Sequence, residues 1–171
     1  MTSSYAIRQF EAHEAALYRT LRLRALADAP DAYGSTLEAE QARTPEMWAA
    51  RLAAALASGQ DYPLVAEQAG KAVGLLWAKM DATDAALVQL FQMWVEPSSR
   101  GRGIAAGLIR EAIHWTKTEN RSRIRLGVTC GDSPAMRLYL RAGFLACGQA
   151  EPLRAGSPLL AQTMELAIGG R

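Results

Sequence analysis

Histidine and cysteine are scarce in this sequence, with two of each among 171 residues. The cysteines, Cys130 and Cys147, form no CxxC pair and have no histidine near them, so the pattern predicts neither a metal site nor a disulfide framework. We expect both to be small buried apolar side chains in a reducing compartment. No metal ion is therefore expected as a cofactor.

Long apolar runs and an excess of one charge are also missing. No run approaches the roughly 18 apolar residues that span a bilayer, and the N-terminal segment MTSSYAIRQF lacks the basic and apolar regions of a signal peptide. A net charge of +2 is too close to neutral to predict nucleic-acid binding from bulk electrostatics. These absences favour a cytoplasmic protein without membrane or nucleic-acid partners, and the length favours one domain, residues 1–171.

The first half of the chain has both strand-like and helix-like patterns. YAIRQF shows the alternation of a strand, and TPEMWAARLAAALA begins like a helix, with Thr44 as N-cap and Pro45 in the first helical position. A polar connection, residues 31–44, separates this helix from an earlier one that ends at Pro30. Strands are predicted at Tyr5–Phe10, at Leu64–Glu67 and Ala72–Met80 around a hairpin turn at Gly70, and in the segment AALVQLFQMWVEP.

The second half continues with a helix, a strand and another helix. GIAAGLIREAIHWTKTEN has one apolar and one polar face and predicts a helix of about four turns. In RIRLGVTC, Ile124, Leu126 and Val128 alternate with polar or small residues, as in a strand. DSPAMRLYLRAGF predicts a short helix with Ser133 as its cap and Gly143 just past its end. This order predicts an α/β fold, with a mixed sheet of about six or seven strands and helices on both faces.

The segment MWVEPSSRGRGIAAGLI joins a predicted strand to a predicted helix through an arginine- and glycine-rich turn. The first N–H groups of a helix have no intrahelical acceptors, and the helix dipole adds about half a positive charge there. Glycine lets such a turn close on an anion, and arginine pairs with phosphate oxygens, so the pattern favours a pyrophosphate. The segment has neither the GxxxxGK[ST] of a Walker loop nor the GxGxxG spacing of a dinucleotide site, which argues against magnesium nucleotides and nicotinamide cofactors.

Two segments resemble the signatures of the GNAT superfamily of N-acetyltransferases. MWVEPSSRGRGIA resembles the R/Q-x-x-G-x-G/A turn of that family through Arg100, Gly103 and Ala105. GDSPAMRLYLRAGF resembles its N-x-x-A-x-x-L-Y-x-x-x-G-F motif, although Asp132 replaces the usual asparagine. One predicted helix and one predicted strand separate the two segments, in the order found in the family. The matching residues of the second segment are Ala135, Leu138, Tyr139, Gly143 and Phe144.

This resemblance implies a fold, a cosubstrate and a reaction. The implied fold is a mixed, mostly antiparallel sheet of six to seven strands, flanked by about four helices. The implied reaction moves an acetyl group from acetyl-CoA to an amine in a ternary complex, without a covalent acyl-enzyme. In the family, N–H groups of the glycine turn bind the CoA pyrophosphate, and the preceding strand pairs with the pantetheine arm, which requires that strand to splay from its neighbour. Carried over to this sequence, the cosubstrate contacts are Met93, Trp94, Val95, Arg100, Gly101, Arg102, Gly103, Ile104, Ala105, Asp132 and Tyr139.

Two residues are candidates for proton transfer. Tyr139 matches the family position of the acid that protonates the leaving thiolate; as an alternative, its ring only packs on the apolar face of its helix. The acceptor amine needs a base, because an unperturbed alkyl ammonium has a pKa of about 10.4. Many relatives carry a glutamate on a central strand, where this sequence has Gly127. Glu38 lies in the connection that borders the acceptor site in the family, so it is the candidate for acceptor binding or a water-mediated base, with a solvated acidic loop as the alternative.

No pattern in the sequence identifies the acceptor. A small amine, an amino acid, an antibiotic-like molecule and a protein N-terminus or lysine all stay open, and a homodimer is expected from the resemblance only. The glycine at 127 and the aspartate at 132 keep a second class open, a CoA-binding regulatory module without catalysis. A nucleic-acid-binding domain has only local arginines in its favour, and an acyl relay at Cys130 is the alternative to its burial.

Overall fold

A computed structural model describes residues 4–169, which form five α-helices and eight β-strands. The helices are α1 (Ala15–Asp28), α2 (Leu37–Gln41), α3 (Pro45–Ser58), α4 (Ile104–Thr118) and α5 (Pro134–Arg141). The strands are β1 (Tyr5–Gln9), β2 (Asp61–Gln68), β3 (Lys71–Met80), β4 (Leu87–Val95), β5 (Arg123–Thr129), β6 (Leu145–Ala146), β7 (Glu151–Pro152) and β8 (Leu160–Ala167). Short 3₁₀ turns precede α1, α2 and α4.

All eight strands belong to one sheet, in the order β1-β2-β3-β4-β5-β8-β6, with β7 also paired to β8. Every pairing is antiparallel except that of β4 and β5, which are parallel and joined through α4. The predicted hairpin between β2 and β3 is present, and its turn residues Ala69 and Gly70 have positive φ angles of 51° and 75°. The mixed, mostly antiparallel α/β fold expected from the sequence is therefore confirmed. The strand number exceeds the expectation because β6 and β7 have only two residues each.

Helices cover both faces of the sheet, and each face has its own apolar core. On one face α4 packs through Leu108, Ala112 and Trp115, which are the apolar positions of its predicted amphipathic pattern. On the other face α1 and α3 pack through residues such as Leu21 and Leu52. The sheet is thus held rigidly between two layers, and loops at its edge can carry functional groups.

The connection between α1 and α3 contains a helix that the sequence pattern did not predict. Thr36 caps this helix, α2, by accepting a hydrogen bond from the Ala39 N–H at 3.2 Å. A helix of five residues is too short to show a 3.6-residue period, so only the cap could have indicated it. The next helix, α3, begins as predicted, with the Thr44 side chain accepting from the Met47 N–H. Between residues 4 and 169, no helix is both long and apolar enough to cross a bilayer.

The expectation that both cysteines are buried is wrong. Cys130 is exposed and Cys147 is half-buried, and both thiols are free. Cys130 directly follows Thr129, the last residue of β5, so its side chain lies where the chain leaves the sheet. The strand alternation that buries Val128 does not extend to this position.

Candidate active site

A cleft opens in the middle of the sheet, where β4 and β5 separate. The two strands pair only from Leu87 opposite Arg123 to Gln89 opposite Arg125. Past these pairs, residues 90–95 of β4 and 126–129 of β5 line the cleft. Its volume of about 1460 Å³ exceeds the roughly 300–1,000 Å³ of an ordinary small-molecule pocket. A cleft of this size can hold a long cosubstrate together with an acceptor.

A β-bulge on β4 accompanies this separation. Trp77 pairs with Phe91 and Leu75 pairs with Trp94, so β4 uses one residue more than β3 between the two pairs. Gln92, inside the bulge, has a positive φ of 62°. A bulge bends a strand and disrupts its ladder locally, which explains why β4 turns away from β5. The sequence implied such a splay only through the family resemblance.

Main-chain groups of β4 beyond the bulge point away from β3. The Tyr33 hydroxyl donates a hydrogen bond to the Met93 carbonyl at 2.9 Å, and the Arg100 Nε donates to the Val95 carbonyl at 2.9 Å. The Glu96 N–H donates to Val73 in β3, so the alternation of a strand directs the Val95 N–H to the opposite side. A carbonyl oxygen can accept a second hydrogen bond. This edge of β4 can therefore pair with an extended ligand.

The glycine turn presents a row of main-chain donors at the start of α4. Gly101 and Gly103 have φ angles of 77° and 80°, and a Cβ on either would meet no atom within 4 Å. Within the part of the chain that the structure describes, the N–H groups of residues 101–106 have no hydrogen-bond acceptor. Open space, free N–H groups and the positive end of the α4 dipole fit a pyrophosphate.

The two arginines of this turn are engaged with other protein groups. Arg100 lines the cleft, and its Nη2 lies 2.6 Å from Asp28 Oδ2 at the end of α1. The Trp94 indole also donates to Asp28, and together with Arg100 it lowers the pKa of that carboxyl below its usual value. Arg102 donates to Gln68 and does not line the cleft. Arg100 thus braces the turn against β4 and α1, and direct pairing of either arginine with phosphate stays a prediction.

The second signature segment forms the opposite wall of the cleft. Ser133 caps α5 by accepting from the Met136 N–H, as predicted, and Asp132 forms an ion pair with Arg137. Tyr139 is 7% exposed, lines the cleft and meets Phe144 edge to face. Tyr139 therefore packs in the core and also lines the cleft.

The environment of the Tyr139 hydroxyl keeps it protonated. Burial raises the pKa of Tyr139 above its usual value of 10.0, and the nearby Tyr33 raises it further. Among residues 4–169, no protein group forms a hydrogen bond with this hydroxyl. It is therefore available as a proton donor to a ligand in the cleft.

Most of the predicted site residues meet in this one cleft. The exceptions are Arg102 and Glu38, which do not line it. Glu38 is exposed on α2, whereas Glu40 on the same helix is buried. A role for Glu38 in proton transfer stays a prediction. The predicted residues that line the cleft are Met93, Trp94, Val95, Arg100, Gly101, Gly103, Ile104, Ala105, Asp132 and Tyr139.

Several lining residues were not assigned to the site from the sequence, and three of them are Tyr33, Arg22 and Gln92. Tyr33 and Arg22 come from the α1 side, and Gln92 comes from the bulge. The only sequence signal for Tyr33 is an aromatic residue within a polar connection. Cys130 also lines the cleft, but as an exposed thiol. No group of three or more His, Cys, Asp or Glu side chains within residues 4–169 is placed to hold a metal ion.

The sheet, its parting strands and the glycine turn define an acetyltransferase-type fold, and comparison with known proteins agrees. The profile of the Acetyltransferase (GNAT) family matches residues 23–144, so the chain belongs to the GNAT family. An acetyltransferase of this family from Streptococcus pneumoniae superposes with a TM-score of 0.82 at 23% identity, over 97% of this chain and 100% of that one. Spermidine N-acetyltransferase from Vibrio cholerae, solved with CoA and spermine, has a TM-score of 0.78 at 18% identity, over 97% and 96% of the two chains.

Sequence relatives agree with the family assignment but are longer proteins. Mycothiol acetyltransferase from Thermobispora bispora is 28% identical over 128 residues, which are 72% of this chain and 40% of the relative. The chain spans about two fifths of the length of the curated relatives that it matches first. The solved structures establish the fold of this chain, and the family establishes its class.

Proposed function

We propose that this protein transfers the acetyl group of acetyl-CoA to a primary amine of a small molecule or peptide, by direct attack in a ternary complex. The observation that carries the proposal is a single cleft in which a splayed β4 edge, a donor-rich glycine turn and the Tyr139 hydroxyl meet. Membership of the GNAT family and relatives named as acetyltransferases support the reaction class.

Donor binding in this proposal uses main-chain groups. The free N–H groups of residues 101–106 bind the pyrophosphate, and the edge of β4 at Met93 and Val95 pairs with the amide-bearing arm. Acetyl-CoA supplies the activated acetyl group as a thioester. A β4 N–H beside the bulge stabilises the negative charge that develops on the transferred carbonyl; loss of one such donor typically raises a barrier by about 3 kcal/mol.

Tyr139 is the proposed general acid. The leaving thiolate has a conjugate acid with a pKa of about 8.5 when unperturbed. A phenol with the usual pKa of about 10 is protonated at neutral pH, and burial raises the pKa of Tyr139 further, so its hydroxyl carries the proton that it donates to the sulfur as the bond to carbon breaks. General acid catalysis of this kind contributes roughly 10²–10⁴-fold.

A CoA-binding module without catalysis is the second candidate. It is favoured by Gly127, which lines the cleft with no side chain to act as a base, and by the position of Glu38 outside the cleft. One experiment separates the two candidates: CoA binding is measured by calorimetry, and thiol release from acetyl-CoA is followed with a panel of amines and peptides. CoA binding without thiol release on any acceptor would favour the module, and no CoA binding would contradict both.

Tyr139→Phe tests the assigned acid. We expect kcat to fall at least about tenfold while the Kd for CoA is unchanged, because the phenylalanine ring preserves the packing on Phe144. Tyr62→Phe is the matched control, since burial also raises the pKa of Tyr62, to about 12, but its hydroxyl bonds Glu111 outside the cleft. An unchanged kcat in Tyr139→Phe would mean that Tyr139 only packs in the core and is not the general acid.

A further inference from the structure

A buried arginine without a complete set of partners forms part of the cleft wall. Arg22, on α1, is only 3% exposed and lines the cleft. Its Nε and Nη1 atoms have no hydrogen-bond partner within the part of the chain that the structure describes. Its guanidinium lies over the Tyr33 ring, 4.6 Å from the ring centre. A buried guanidinium is retained only at a high desolvation cost, so unused donors beside a cleft are suited to bind an anionic group of a ligand.

The carboxylate that acts on Arg22 is already paired with other arginines. Glu40 is the carboxylate whose charge acts on Arg22, but its Oε2 already lies 3.2 Å from both Arg43 and Arg51. Burial lowers the pKa of Arg22, as expected for a cation that lacks a close counter-charge. Arginine nevertheless keeps its proton in proteins. The region around Arg22 therefore carries excess positive charge.

The position of Arg22 favours an anionic group of the acceptor over one of the donor. Tyr33 connects Arg22 to the reacting strand, since its ring lies under the guanidinium and its hydroxyl bonds the Met93 carbonyl. The glycine turn contacts α1 at Asp28, six residues later, which is about 9 Å along the helix axis. Arg22 is thus close to the acetyl-transfer region and separate from the pyrophosphate turn.

We propose that the acceptor is an amine that also carries a carboxylate, and that Arg22 binds this carboxylate with its forked N–H groups. The inference rests on the proposed acetyl transfer and names the class of acceptor. A planar guanidinium matches the two oxygens of a carboxylate, and burial strengthens the pair by excluding water. The aromatic face of Tyr33 holds the guanidinium in place for this contact.

The first test uses the unmodified protein with CoA bound. Calorimetry compares a series of ω-amino carboxylates, from glycine to 5-aminopentanoate, with the matching primary carboxamides, at a pH where both amines are protonated. We expect the best-fitting carboxylate to bind at least about tenfold more tightly than its carboxamide. Equal affinities along the whole series would overturn the inference. Binding needs no turnover, so absent acetyl transfer alone would count against the proposed function and not against this site.

The second test assigns the preference to Arg22. In Arg22→Gln the carboxylate should bind no better than the carboxamide, with affinities for CoA and for the carboxamide unchanged. Arg19→Gln is the matched control, because Arg19 is on the same helix and also has a partnerless buried Nε, but does not line the cleft. The Arg19→Gln variant should still bind the carboxylate more tightly than the carboxamide.

A purely structural role for Arg22 predicts a different result. Arg22→Gln would then weaken the binding of carboxylate and carboxamide equally, and this result would overturn the inference. A preference for the carboxylate that survives in Arg22→Gln would overturn it as well. If Arg22→Gln does not fold, Arg22→Lys replaces it. Lysine keeps the charge but lacks the planar fork, so the preference should shrink severalfold and not vanish. An undiminished preference in Arg22→Lys would contradict bidentate binding.

Discussion

Gly103 and Gly59 allow the role of the glycine turn to be tested against a matched position. Both adjoin a helix end with a left-handed backbone, at φ 80° and 67°, and a Cβ on either would meet no atom within 4 Å. Alanine in this conformation costs roughly 1–2 kcal/mol, so Gly103→Ala and Gly59→Ala should be destabilised about equally. At about 2–4 °C per kcal/mol for a chain of this size, each Tm should fall by roughly 2–8 °C.

Affinity for CoA should then distinguish the two variants. Gly103 lines the cleft and directly precedes the free N–H groups of α4, whereas Gly59 follows α3 and does not line the cleft. We expect Gly103→Ala to raise the Kd for CoA at least about tenfold, or about 1.4 kcal/mol, and Gly59→Ala to leave it unchanged. Titration calorimetry measures Kd, and scanning calorimetry measures Tm. Equal Kd values in the two variants would refute the phosphate-binding role of the turn.

Two further predictions concern acid stability and thiol reactivity. The hydrogen bond from Arg8 lowers the pKa of Glu14 from 4.5 to about 2, so this pair stabilises the fold above pH 4.5 and the stabilisation is lost as the pH falls to about 2. Glu14→Gln should therefore lower the free energy of unfolding by roughly 1–2 kcal/mol at pH 7, allowing for solvent screening at Arg8, and by almost nothing below pH 2. Denaturant unfolding measures this free energy across the pH range. A difference between the variant and the unmodified protein that stays constant with pH would contradict the prediction. Iodoacetamide should alkylate the exposed Cys130 faster than Cys147, and saturating CoA should slow the alkylation of Cys130 only. Peptide mass spectrometry measures both rates. Equal rates, or no protection by CoA, would place Cys130 outside the part of the cleft that CoA occupies.

Local chemistry explains which parts of the fold could be predicted from the sequence. Thr44 and Ser133 both cap helices as expected, because the cap bond joins residues three apart and depends on little else. The glycine turn was also predictable, since two glycines between a strand and a helix have few other uses. The membership of Tyr139 in the cleft followed from the resemblance of a whole segment to a known family.

Features that depend on distant contacts could not be predicted. The bulge at Gln92 comes from the register between β3 and β4, and Gln92 is not a residue type that indicates positive φ. Arg22 is buried because α1 packs against Tyr33 and Glu40, which are distant in the sequence and come close to Arg22 only in the folded chain. The expected burial of Cys130 was wrong because β5 ends one residue earlier, at Thr129, and the thiol is exposed. The single domain, the cytoplasmic location, the homodimer and the role of Glu38 stay predictions.

The parting of β4 and β5 has a mechanical consequence. Within residues 4–169, only three ladder pairs, from Leu87 to Gln89 and from Arg123 to Arg125, join the two halves of the sheet. Parallel pairs are also slightly weaker than antiparallel ones. The sheet therefore has a seam, and α4 packs against strands on both sides of it. A ligand that hydrogen-bonds β4 within this seam supplies ladder contacts that β5 does not make there. Ligand binding should therefore slow deuterium exchange most at amides beside the seam and least at amides of the outer strands.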